Sequence, residues 1–160
     1  MKFHRIHRTQ LIPISLDEAW AFFSSPQNLD AITPDFLSFR IINGASEKMY
    51  SGQLVEYRIK AFPGVWLKWL TELKHIEEGH CFVDEQRFGP YKFWYHRHTF
   101  TPVEGGVRVE DLVTYSLPFG PLGELVRVLH VKRQLEEIFD YRIKAMEERF
   151  GPWPSPPAGG

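Results

Sequence analysis

The chain is 160 residues long, with 43% apolar residues, 15% aromatics and a formal net charge of −1. That length argues for one domain with a real core, and the composition excludes a disordered chain. The near-neutral charge lacks the basic footprint of a nucleic-acid binder, and no apolar run approaches the ~20 residues that cross a bilayer. The single cysteine, Cys81, leaves no internal disulfide and fits a reducing compartment. The opening MKFHRIHRTQ carries charge without a following apolar run, so no signal peptide is expected and the cytoplasm is the default location.

Phe3 to Ile12 alternates as a first strand. Ser15-Leu16-Asp17-Glu18 has the form of a capping box, in which Ser15 caps a helix and Glu18 reaches back to it. Leu16, Ala19, Trp20 and Phe23 then recur at helical spacing. Pro26 ends that helix and suits the first position of a second short one, capped by Ser25 and stopped at Thr33-Pro34. From Asp35 the period changes to two. Strands are expected over Phe36 to Ile42, Gln53 to Phe62 and Val65 to Ile76, with a polar loop at Gly44 to Gly52 and turns at Pro63-Gly64 and Glu78-Gly79.

The most distinctive stretch is FVDEQRFGPYKFWYHRHTF, residues 82–100, which reads as a hairpin around Gly89-Pro90. Because side chains alternate faces along a strand, Phe82, Asp84, Gln86 and Phe88 share one face and Trp94, His96, His98 and Phe100 another. A turn centred on Tyr91 sets Asp84 opposite His98 and Gln86 opposite His96. A last strand runs from Val107 to Leu117 after a Gly105-Gly106 turn, which sets His98 opposite Val113 and His96 opposite Tyr115. A two-residue Glu78-Gly79 loop pairs Asp84 with Leu73 and Gln86 with Thr71. The Pro63-Gly64 turn fits only with an odd loop or a bulge, which keeps Tyr57 beside Trp69. After Pro118-Phe119-Gly120-Pro121 the pattern is helical to about Phe150, a rod of roughly 40 Å at 1.5 Å per residue. The Pro/Gly-rich tail, residues 151–160, is expected to be disordered.

This order of one strand, two short helices, six strands and a long helix resembles the helix-grip fold of the START/SRPBCC superfamily, over roughly residues 1–150 as a single domain. The hairpin segment, with GGVRVEDLVTYSLP and IFDYR, is similar to a bacterial ligand-binding, polyketide cyclase-like branch of it. The resemblance implies an α+β fold in which a curved antiparallel sheet wraps the C-terminal helix and leaves an internal cavity between them. The Gly44–Gly52 loop and the Pro118–Pro121 segment would flank its mouth.

If the imidazole face is the concave one, it carries Tyr57, Trp69, Thr71, Asp84, Gln86, Trp94, His96, His98, Asp111 and Tyr115. An unpaired buried polar group costs ~1–3 kcal/mol, so a dry core suits this set poorly and a wet or ligand-filled cavity suits it well. Nine of these, Thr71 aside, are the candidate ligand-binding residues. Asp84 and His98 can equally form a structural cross-strand ion pair, and Trp69, Trp94 and Phe100 can be plain core. Arg142 is expected to extend to solvent, with Asp111 or a ligand acid as its other destination. His96-Arg97-His98 with Asp84 offers donors of the type zinc accepts, but spacing alone places no third ligand, and no metal or other cofactor is assigned. A hydrolase is disfavoured because no Gly-x-Ser-x-Gly elbow is present.

The favoured function is a carrier or sensor that binds a small, largely apolar molecule of lipid, polyketide or aromatic type. The alternative is a cyclase- or dehydratase-like enzyme using His96, His98 and Asp84 for acid–base chemistry; no catalytic residue is assigned. A third reading is a vestigial cavity in a protein that binds a partner. No nucleic-acid partner and no membrane span are expected, and monomer and homodimer both stay open.

Overall fold

A computed structural model describes residues 2–46, 48–62 and 65–154, the side chains of residues 61 and 62 excepted. The expected Pro63-Gly64 turn and residues 155–160 of the tail lie outside these. Strand β1 (His4–Ile12) is followed by helix α1 (Leu16–Phe23) and two 3₁₀ segments, Pro26–Ile32 and Asp35–Leu37. Then come β2 (Arg40–Asn43), β3 (Gln53–Phe62), β4 (Val65–Glu77), β5 (Cys81–Phe88), β6 (Phe93–Val103) and β7 (Gly106–Ser116). The chain ends in α2 (Gly120–Val126), a π-helical turn (Arg127–Val131) and α3 (Lys132–Phe150). The seven strands form one antiparallel sheet in the order β1-β7-β6-β5-β4-β3-β2. This is the helix-grip architecture the element order implies.

Local chemistry accounts for most of these boundaries. The capping box is made: Glu18 N donates to Ser15 Oγ at 3.2 Å and Ser15 N donates to Glu18 Oε2 at 2.9 Å. Pro26 opens the next helical segment, which is 3₁₀, and Ser25 makes no side-chain cap. The strand expected from Phe36 starts only at Arg40. Asp35–Leu37 coils into a 3₁₀ turn that closes on Ser38 in the left-handed region at φ 46, and this turn aims Leu37 inward. Alternation of apolar residues looks the same over so short a stretch whether it belongs to a strand or to a tight turn.

Two strand registers differ from expectation by two residues. The β5–β6 turn is centred on Pro90, so Phe82 faces His98 and Asp84 faces His96. The β6–β7 loop is Glu104-Gly105, with Gly105 at φ 85, so His98 faces Asp111 and His96 faces Val113. A slip of two keeps every side chain on its face, whereas a slip of one would have reversed them all. The β4–β5 pairs, Leu73 with Asp84 and Thr71 with Gln86, stand as expected, although the turn is longer and a bulge at His75, φ 49, absorbs the difference. Tyr57 lies beside Trp69, and an irregularity between Ile59 and Phe62 supplies the required offset.

The C-terminal rod is continuous in direction but changes winding at Arg127–Val131, which no spacing signal announced. Two apolar clusters pack between rod, sheet and α1. One centres on Trp20, Phe23, Phe82, Phe100 and Met146, the other on Trp94, Val113, Tyr115, Leu135 and Phe139. The Trp153 ring rests against Gly105 and Gly106 of the β6–β7 turn.

Candidate functional site

Between the two clusters sits a group of charges. Strand alternation sends Asp84 of β5, His96 and His98 of β6 and Asp111 of β7 to the same concave face. His98 Nε2 pairs with Asp84 Oδ2 at 2.9 Å, and His96 Nε2 pairs with Asp111 Oδ1 at 2.9 Å. The second nitrogens close the ring: His96 Nδ1 lies 3.1 Å from Asp84 Oδ2, and His98 Nδ1 lies 2.9 Å from Asp111 Oδ1. Each imidazole therefore bridges both carboxylates. Trp94 Nε1 donates to the remaining oxygen of Asp84 at 3.1 Å.

The rod contributes a cation, Arg142. Arg142 does not extend to solvent: its side chain is 12% exposed, and Nη2 reaches Asp111 Oδ1 at 3.3 Å and His98 Nδ1 at 3.5 Å. Its guanidinium lies over the Phe23 ring, 5.0 Å from the centroid. Aromatic rings wall in the rest, with Phe82 stacked on His98 at 4.2 Å and the edge of Phe139 against His96.

These contacts set the charge states. Burial alone would keep His96 neutral, but the Asp84 and Asp111 carboxylates outweigh it and raise its pKa to about 9. Burial alone would raise both aspartates; the imidazoles hold Asp84 below the usual carboxylate range, and Arg142 with both imidazoles does the same for Asp111. Burial, then the nearby Asp84 charge, pushes the Tyr57 hydroxyl above its usual value.

The group opens onto a cavity of about 440 Å³ between the sheet and the rod. Of the nine expected residues, Tyr57, Trp69, Asp84, Trp94, His96 and His98 line it. Gln86, Asp111 and Tyr115 are not among its lining residues. Gln86 folds back onto the turn, donating to Tyr91 O at 2.7 Å and accepting from Tyr91 N at 3.2 Å. Asp111 lies behind the two imidazoles. Tyr115 packs into the second cluster, with Arg127 at its hydroxyl.

Residues beyond the nine also line the cavity. Tyr91 joins Trp69 and Trp94 in an aromatic wall, with ring centroids 4.8–5.5 Å apart. Leu135, Phe139 and Arg142 enter from the rod, and Ile32 and Leu37 from the 3₁₀ segments. Among the lining residues Phe119 and Leu122 are exposed, which marks the mouth beside Pro118; of the Gly44–Gly52 loop, Met49 lines the cavity.

The charged corner thus sits at one side of a largely apolar chamber. The family profile for polyketide cyclases, dehydrases and lipid transport matches residues 4–151. The chain belongs to this family. No curated protein matches it in sequence.

Solved structures share the family's fold. TTHA0849 of Thermus thermophilus superposes with TM-score 0.72 at 18% identity, over 92% of this chain and 97% of that one. The ZhuI aromatase/cyclase of a Streptomyces species gives TM-score 0.72 at 10% identity, over 92% and 93%. A START superfamily protein of Mycobacterium smegmatis gives TM-score 0.66 at 15% identity, over 92% and 97%. At these identities the likeness is one of fold. Among the described residues no helix is long and apolar enough to cross a membrane.

Proposed function

We propose that this family member binds a small, largely apolar molecule of lipid, polyketide or aromatic type, and holds it by a hydroxyl or carbonyl at Asp84, His96 and His98, as a carrier or sensor. The observation that carries this reading is the charged ring set into the wall of an apolar cavity. A buried ion pair is often no more stabilising than hydrocarbon of the same volume, so two buried carboxylates linked through imidazoles at this point are a poor way to gain stability alone. They supply donors and acceptors that a ligand's polar group can use, while the Trp69, Tyr91 and Trp94 wall offers flat apolar area.

Native mass spectrometry of freshly purified protein, followed by identification of any co-purified molecule, tests this directly. A bound apolar compound carrying one polar group is the expected result. A bare chain that also shows no thermal stabilisation across a broad lipid and polyketide panel overturns it and favours a role in partner binding.

An acid–base enzyme is the second reading, favoured by one observation: His96 borders the cavity and lies between two carboxylates that favour its protonated form. The aromatase/cyclase among the structural neighbours supports the idea that such a fold houses this chemistry. Replacing His96 and His98 by alanine separates the two. Affinity lost with no product ever formed indicates a carrier; turnover lost with affinity retained indicates an enzyme.

A further inference from the structure

We propose that Asp84 Oδ2, His96 Nδ1 and His98 Nε2 form a site for one divalent transition-metal ion of the zinc class, open on the cavity side. Asp84, His96 and His98 can each offer one donor atom with all three atoms within 4.8 Å of one another, and all three residues line the cavity. The histidine-x-histidine spacing supplied two ligands on one strand face; pairing of β5 with β6 supplies the third, which spacing alone could not place.

The geometry is near what a metal requires. A tetrahedral ion bound at 2.0–2.2 Å sets its donor atoms about 3.3 Å apart. His96 Nδ1 and His98 Nε2 already stand 3.1 Å and 2.9 Å from Asp84 Oδ2. An ion replacing the protons shared with Asp84 therefore needs each imidazole nitrogen to part from that oxygen by only a few tenths of an ångström.

The outer contacts favour a metal site over a chance cluster. Ligating histidines usually give their second ring nitrogen to a carboxylate, which fixes ring and tautomer. Here His96 Nε2 and His98 Nδ1 both meet Asp111 Oδ1 at 2.9 Å, and Arg142 clamps Asp111 from behind. The free oxygen of Asp84 is held by Trp94. Every proposed ligand is thus aimed from its far side. Three protein ligands with a fourth position facing a chamber is the open form of such sites, and a ligand oxygen would take that position. This last step rests on the ligand-binding reading; the metal site does not.

The test titrates EDTA-dialysed full-length protein with Co²⁺ and Zn²⁺, following visible absorption, calorimetry and metal-edge X-ray absorption. We expect one ion per chain with two imidazole nitrogens in its shell. A second His/Cys/Glu group, Glu77, His80 and Cys81 on the β4–β5 turn, serves as the control. Binding should persist in His80→Ala and vanish in His98→Gln. Trp94→Phe, which removes the hydrogen bond to Asp84 and keeps an aromatic ring in the wall, should weaken affinity roughly 10-fold. No stoichiometric uptake, a shell without two imidazoles, loss in His80→Ala with retention in His98→Gln, or an unchanged affinity in Trp94→Phe would each overturn the proposal.

Discussion

Asp111 is the carboxylate on which the charged ring depends, since both imidazoles and Arg142 meet its Oδ1. Asp111→Ala leaves the Arg142 charge buried without its partner, and the expected cost is about 3–5 kcal/mol, measured by urea unfolding. Gln86→Ala removes two hydrogen bonds to the Tyr91 backbone and should cost about 1–2 kcal/mol while leaving ligand affinity unchanged. The pH dependence follows from His96. Its folded pKa of about 9 lies above its ordinary value of 6.5, so its stabilisation is complete below 6.5 and fades as pH rises through about 9. Asp84 and Asp111, both depressed, contribute above their ordinary 3.8 and lose that contribution as pH falls through their lower folded values. Thermal unfolding of the metal-free protein should therefore show a melting temperature that declines on the alkaline side, and His96→Gln should flatten that decline. Sequence placed Asp84, His96 and His98 on one face because strand parity is local and survives a slip of two. It misdirected Gln86 because the turn centre, which decides its opposite residue, is set by one residue of loop.

At the scale of elements, the rod is the part least visible beforehand. Its helical period was plain, but its rotation against the sheet is a tertiary property. Arg142 therefore read as a solvent-facing residue although it turns inward over Phe23. The winding change at Arg127–Val131 left no pattern either, since Val128, Leu129 and Val131 suit either turn type. Where the rod begins, Gly123 sits against the Pro118 carbonyl so closely that a Cβ would collide with backbone. Gly123→Val should push α2 off the cavity mouth at a cost of about 1–3 kcal/mol, read by chemical denaturation. It should also speed release of bound ligand, read by stopped-flow fluorescence of Trp69 and Trp94. The short β2 shows the opposite failure, where alternation suggested more strand than Pro34 and Ser38 allow.

For the whole molecule, the helix-grip fold came from the resemblance of the element order to a known superfamily, and the single seven-stranded sheet with its long C-terminal helix has that form. The cavity followed from chemistry: so many polar groups on an inner face need either partners or space, and here they have both. The central claim is that an apolar body fills this chamber with its polar end at the imidazoles. A crystal structure of the protein bound to 1-hydroxypyrene tests it most directly. The account predicts the fused rings against Trp69, Tyr91 and Trp94, with the hydroxyl within hydrogen-bonding distance of Asp84, His96 or His98. A probe bound on the outer surface, or one lying in the chamber with its hydroxyl turned to the Pro118 mouth, would contradict it.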